Sequence, residues 1–169
     1  FAARVDAVAA GFLALGLERG ARIGVWSLNR PEWTLTQFAA AKAGLILVTI
    51  NPAYRLSELE FALAKVGCAA IVTATAFKTS NYMEMLNTLL PELATSKAGE
   101  LQSARLPQLR AVIQIGGPKA PGTIAATDKI FVEFTCNGQL LGTEIEIKGK
   151  PAPAIKANGT ADTAPGTVT

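Results

Sequence analysis

Residues 45–60, "LILVTINPAYRLSELE", decide the fold. Six residues without a charge read as a buried strand, because a strand covered on both faces is apolar at successive positions rather than at alternate ones. Asn51 and Pro52 end it: proline offers no N–H to a sheet ladder and pushes the residue before it away from helical geometry. A helix follows at once. Ser57 and Glu60 have capping-box spacing, and Leu59, Leu63 and Val66 recur at helical steps until Gly67.

The same grammar repeats outward from this junction. Val5, Val8, Phe12 and Leu15 form one helical face over residues 2–15, stopped by Gly16. Residues 23–26 form a short strand. Asn29 is expected to cap the next helix, with Glu32 returning the bond and Pro31 in the first turn, and this helix runs to Lys42. Residues 69–72 make a third strand, Asn81 with Glu84 opens a helix through Leu90, and residues 109–115 make a fourth strand before Gly116-Gly117-Pro118, which reads as a turn. The polar stretch 91–107 is expected to be a surface excursion. Such alternation predicts an α/β fold: an open parallel sheet with helices on both faces, joined by right-handed crossovers.

From Asp128 the pattern changes. Residues 130–134 and 144–147 alternate about Asn137-Gly138, which predicts a β-hairpin. Of the nineteen residues 151–169, fourteen are Ala, Pro, Gly or Thr, too few large apolar groups for a core. The expected division is therefore 1–127, an α/β unit; 128–150, a hairpin; and 151–169, a disordered tail.

Composition narrows the chemistry. Sixteen Lys and Arg against thirteen acids are dispersed without a basic block, so nucleic-acid binding is not supported. Two cysteines far apart give neither a disulfide framework nor a metal motif. With no histidine in 169 residues, Ser-His and Cys-His nucleophiles are excluded, and no metal ligands are assigned. No apolar run approaches the roughly 20 residues of a membrane span, and a soluble, cytoplasmic protein is expected. The chain starts at Phe1, inside a helical pattern, and is expected to be part of a longer protein.

The succession "NPAYRLSELEFAL", "KVGCAAIV" and "FKTSNY", at 51–63, 65–72 and 77–82, resembles the amino-terminal part of AMP-forming acyl-CoA synthetases, particularly the medium-chain fatty acid type. The resemblance extends through "LPELATSKAGELQSARLPQLRAVIQIG" to "PGTI", covering residues 1 to about 124. It implies a flavodoxin-like subdomain of a ligase that joins a fatty acid to AMP from ATP, then passes the acyl group to coenzyme A. ATP, magnesium and CoA are implied for the full-length family. That chemistry brings two anions together, so it needs a glycine-rich loop, a metal ion and a mobile lysine to meet the charge.

The family's phosphate loop reads Thr-Ser-Gly-Thr-Thr-Gly-x-Pro-Lys-Gly. The nearest stretch here, Phe134-Thr135-Cys136-Asn137-Gly138-Gln139, shares only its Phe-Thr opening. No catalytic and no cofactor-binding residues are assigned, and the chain is expected to be inactive alone. Asn29, Asn51, Pro52, Tyr54 and Trp26 are the candidates for the wall or scaffold of a substrate tunnel, since ligands of α/β sheets gather at the carboxyl ends of strands. Trp33 could line the tunnel with Trp26, but the plainer reading makes the junction a strand stop and puts both tryptophans, which sit at apolar positions of periodic elements, in the core. Cys68 reads as a core thiol. The alternative function is a non-catalytic small-molecule-binding or interaction module on the same sheet. An α/β unit taken from a larger domain would also expose an apolar patch and self-associate.

Overall fold

The structure is a computed structural model that describes residues 1–126, with the backbone pairing of two short segments beyond them. Helix α1 is Ala2–Ala14, and Val5, Val8 and Phe12 are buried on its inner face as their spacing predicts. Strand β1 is Arg22–Trp26, α2 is Pro31–Lys42 and β2 is Ile46–Thr49. Helix α3, Leu56–Val66, ends at Gly67, whose φ of 62° lies in the left-handed region that a side chain would strain. Strand β3 is Cys68–Ala74; β4, Ala76–Phe77, and β5, Ser80–Asn81, form a small antiparallel corner leading into α4, Tyr82–Leu89. A 3-10 turn at Pro91–Thr95 follows, then β6, Ala111–Ile115, and β7, Ile124–Ala125.

The five long-range strands form one parallel sheet in the order β2-β1-β3-β6-β7. Counting only those strands this is 2-1-3-4-5, the flavodoxin-like order. Two buried clusters lie on opposite faces. Phe12, Leu35, Ala39 and Ile113 belong to the α1 and α2 side; Leu59, Leu63, Leu86 and Val112 belong to the α3 and α4 side. The α/β reading with helices on both faces is thus the observed architecture.

Several local expectations are corrected. Asn29 does not cap α2: the N-cap is Arg30, in extended geometry with no side-chain cap, and Glu32 instead accepts from Arg30 Nε at 2.8 Å. An adjacent guanidinium offers that carboxylate a charged donor, which outcompetes a backbone N–H. Helix α3 begins one residue before Ser57, so the carboxylate that reaches back is Glu58, accepting from the Arg55 N–H at 2.7 Å, and not Glu60. Strand β2 is only partly covered, with Leu47 and Val48 half-buried against the two opposite clusters. It is the sheet edge, and only Leu45 and Ile50 just beyond its ends are buried, while Ile46 is 49 % exposed. Stretch 91–107 is also less superficial than its polarity suggests, because Leu93, Leu101 and Leu106 are buried against the α4 layer. The Asn81 cap is observed, its Oδ1 accepting from the Glu84 N–H at 3.1 Å.

Strands β8, Thr135–Cys136, and β9, Gln139–Leu140, pair antiparallel about Asn137-Gly138, where the hairpin turn is expected. The flanking runs 130–134 and 144–147 and the tail 151–169 lie outside the described residues.

Candidate functional site: a cleft at the carboxyl ends of β1 and β2

Parallel strands β1 and β2 end at the same rim, and the segments that leave them, 27–30 and 50–55, enclose an open cleft of about 640 Å³. The last ladder bond is donated by the Ile50 N–H to the Val25 carbonyl at 3.0 Å. Asn51 then turns the chain: its Oδ1 accepts from the Ala53 N–H at 2.9 Å, and its carbonyl accepts from the Tyr54 N–H at 3.0 Å.

Two buried aromatics hold this turn from below. Trp26 Nε1 donates to the Asn51 carbonyl at 3.2 Å, and the Tyr82 hydroxyl donates to the Pro52 carbonyl. Their rings stack at 3.6 Å with an interplanar angle of 11°. Neither side chain has measurable exposure, so each needs a partner for its polar atom, and the turn's two carbonyls supply them. Asn-Pro at the end of β2 therefore stops the strand and presents acceptors to the layer beneath it.

Asn29, Asn51, Pro52 and Tyr54 all line the cleft. Trp26 does not: it is part of the cleft's foundation. Trp33, expected in the core, instead lies partly exposed on the cleft wall, because the buried stripe of α2 runs through Leu35, Thr36, Ala39 and Ala40 and leaves the first turn at the rim. Leu28 and Ile50 extend the apolar wall, with Ser27 and Thr49 as hydroxyl contributors that sequence reasoning did not single out.

No Lys, Arg, Asp or Glu lines this cleft. Its residues suit a chain with an apolar body and a neutral polar end. They do not fit a triphosphate, which needs cations or convergent amides, or magnesium, which needs carboxylates.

The Gly116-Gly117-Pro118 turn at the end of β6 is organised by Gln114, another residue without a sequence-level signal beyond its polarity in an apolar strand. Its Nε2 donates to the Gly116 and Pro118 carbonyls at 2.8 and 2.7 Å; its Oε1 accepts from the Ala120 N–H at 3.0 Å and from Thr123 Oγ1 at 3.3 Å. The turn reading stands.

Burial also sets the protonation of two core groups. Burial pushes the Cys68 thiol up to about 11 from 9.0, despite the opposing charge of Arg22, so it is no nucleophile near neutrality. Burial likewise pushes the Tyr82 hydroxyl up to about 12 from 10.0. Both groups keep their protons in the folded state after the unfolded chain has lost them, so their contribution to stability is full below pH 9 and falls as pH rises through 9 to 12. Urea midpoints measured across that range should decline, and Tyr82→Phe should flatten the upper part of the decline. An unchanged slope in Tyr82→Phe would contradict this assignment.

The fold and cleft meet a known group of proteins. Residues 1–137 match the family model described as AMP-binding enzyme. The chain is 51 % identical over 124 residues to the medium-chain acyl-CoA ligase ACSF2, mitochondrial, of Danio rerio, covering 73 % of this chain and 20 % of that protein. It is 47 % identical over 131 residues to the Homo sapiens protein of that name, covering 78 % and 21 %. The chain thus spans about a fifth of the length of these relatives. In fold alone it is similar to the anthranilate CoA ligase AuaEII, solved with anthranoyl-AMP, with a TM-score of 0.62 and 20 % identity over 75 % of this chain and 21 % of that one. The acetoacetyl-CoA synthetase of Streptomyces lividans gives a TM-score of 0.59 at 23 % identity over 72 % and 18 %. A flavodoxin-like sheet carrying the NPAYRLSELE junction, matched across most of its length, places the chain in the AMP-binding enzyme family.

Proposed function

We propose that this chain supplies the α/β scaffold and part of the substrate wall of a fatty acyl-CoA ligase, and that it carries out no adenylation by itself. The observation that carries this reading is the cleft lining: Leu28, Trp33, Ile50 and Tyr54 offer apolar surface to an acyl chain, with amides and hydroxyls beside them and no charge that could meet ATP. In the parent enzyme ATP and magnesium would be held by residues other than the ones lining this cleft, and the acid and CoA would pass along its wall. The division into an α/β unit at 1–127, a hairpin at 128–150 and a tail at 151–169 belongs to the same proposal. So does the soluble state. The cytoplasmic location read from composition stands beside relatives named mitochondrial, and cell fractionation separates the two.

Trp33 makes the reading testable in the isolated chain. Titration with decanoyl-CoA should give a saturable change in tryptophan fluorescence, because Trp33 sits on the wall while Trp26 is sealed beneath it. The change should vanish in Trp33→Phe and persist when a residue remote from the cleft, such as Lys97, is replaced. No saturable change, or the same change in Trp33→Phe, would remove the cleft from the account.

A further inference from the structure

We propose that the outer flank of α3, with the edge strand β2 below it, is a two-fold interface that binds a second copy of this chain. Glu58, Phe61, Ala62 and Lys65 lie at helical steps of three, four and seven, so they share one flank. That flank and the β2 residues Val48 and Thr49 border a second groove of about 480 Å³. Phe61 stands in it with 68 % of its surface in water, although aromatic side chains of this size are usually covered. The edge beneath it is open: Val48 is half-buried against the core, but within the described sheet β2 pairs with β1 alone, and the strand Ile46–Thr49 carries neither charge nor proline of the kind that discourages edge pairing.

The order of the four residues identifies the occupant. Along α3 they read negative, large apolar, small apolar, positive. An antiparallel copy related by a two-fold axis between Phe61 and Ala62 brings each Phe61 onto the partner's Ala62. It also sets each Glu58 against the partner's Lys65, so the stripe complements itself as an isologous interface must. Within one chain Glu58 and Lys65 are seven residues apart, about 10 Å of helix rise, too far to pair. Lys65 has no ion-pair partner among the described residues, and Glu58 accepts only the Arg55 N–H at its own helix start. The other four-fifths of the polypeptide in the longer relatives is the competing occupant, but nothing in its presence would require a stripe that is complementary to itself. This inference does not depend on the proposed function.

Charge reversal separates the possibilities. Sedimentation velocity over a concentration series should show a monomer–dimer equilibrium for the full chain, lost in Phe61→Glu, which alters a solvent-exposed side chain and should leave the circular dichroism spectrum intact. Glu58→Lys and Lys65→Glu should each weaken the dimer about tenfold, since two symmetry-related pairs turn repulsive. The double variant should return to near the original affinity. Glu58→Lys also removes a helix-start contact, but Lys65→Glu cannot repair that contact, so recovery in the double variant reports the interface. A chain that stays monomeric overturns the proposal, as does a dimer that all four variants leave unchanged or one that the double variant fails to restore.

Discussion

Trp26→Ala should lower unfolding stability by about 3–5 kcal/mol, the cost of deleting a buried aromatic whose site cannot collapse. The cavity would open between the sheet and Tyr82, which loses its stacking partner, and the Asn51 carbonyl would lose its buried donor. Against a total of about 5–15 kcal/mol for an ordinary domain, such a loss leaves a marginal protein. Tyr82→Phe is the informative comparison: it keeps the ring stack and removes only the hydroxyl that holds the Pro52 carbonyl, so it should cost about 1–2 kcal/mol. Urea unfolding followed by far-ultraviolet circular dichroism measures both without relying on the deleted tryptophan. A Trp26→Ala effect no larger than that of Tyr82→Phe would mean that the stack does not support the junction.

Gln114→Leu should be the second severe substitution, costing about 2–4 kcal/mol. The side chain is 1 % exposed and satisfies two carbonyls and one N–H, and leucine would leave these three to compete for water beside the sheet, while the Thr123 hydroxyl keeps its 2.7 Å bond to the Ala120 carbonyl. The loss should appear locally first. The Gln114 main chain also pairs with β7, its carbonyl accepting from the Ala126 N–H at 2.7 Å, so amides of 123–126 should exchange faster than those of β1 and β3. Gln114→Glu gives a matching sign: a carboxylate facing two carbonyls is penalised and holds a proton more tightly than in the unfolded chain, so this variant should gain relative stability as pH falls. If both variants unfold at the wild-type urea midpoint, Gln114 does not hold the turn.

The layered fold was legible because adjacent elements differ in period. Helical spacing of Val5, Val8 and Phe12 gives way to the continuous run 45–50, and Pro52 marks where one ends. What was not legible depends on neighbours distant in the chain. The exposure of Ile46 follows from β2 being an edge, a property of sheet order, and β7 is two residues long, too short to show any period. Capping positions slipped because the Arg30 guanidinium took the Glu32 carboxylate and because α3 starts at Leu56, which brings Glu58 rather than Glu60 to the Arg55 N–H. In the site, Asn51 and Pro52 announced themselves as chain breakers, but their partners Trp26 and Tyr82 lie 25 and 30 residues away and meet them only through the fold. Trp33 was misplaced for a related reason: its apolar character fitted the core, while its position in the first turn of α2 put it on the rim.

The central proposal is that the cleft at the carboxyl ends of β1 and β2 offers an acyl group a wall and offers the phosphates of ATP no charged side chain. Octanoate-dependent exchange of pyrophosphate into ATP reads the adenylation half-reaction directly, with magnesium present and CoA absent. The account predicts no exchange above the protein-free blank from the purified chain. Exchange that requires octanoate and scales with protein concentration would contradict it.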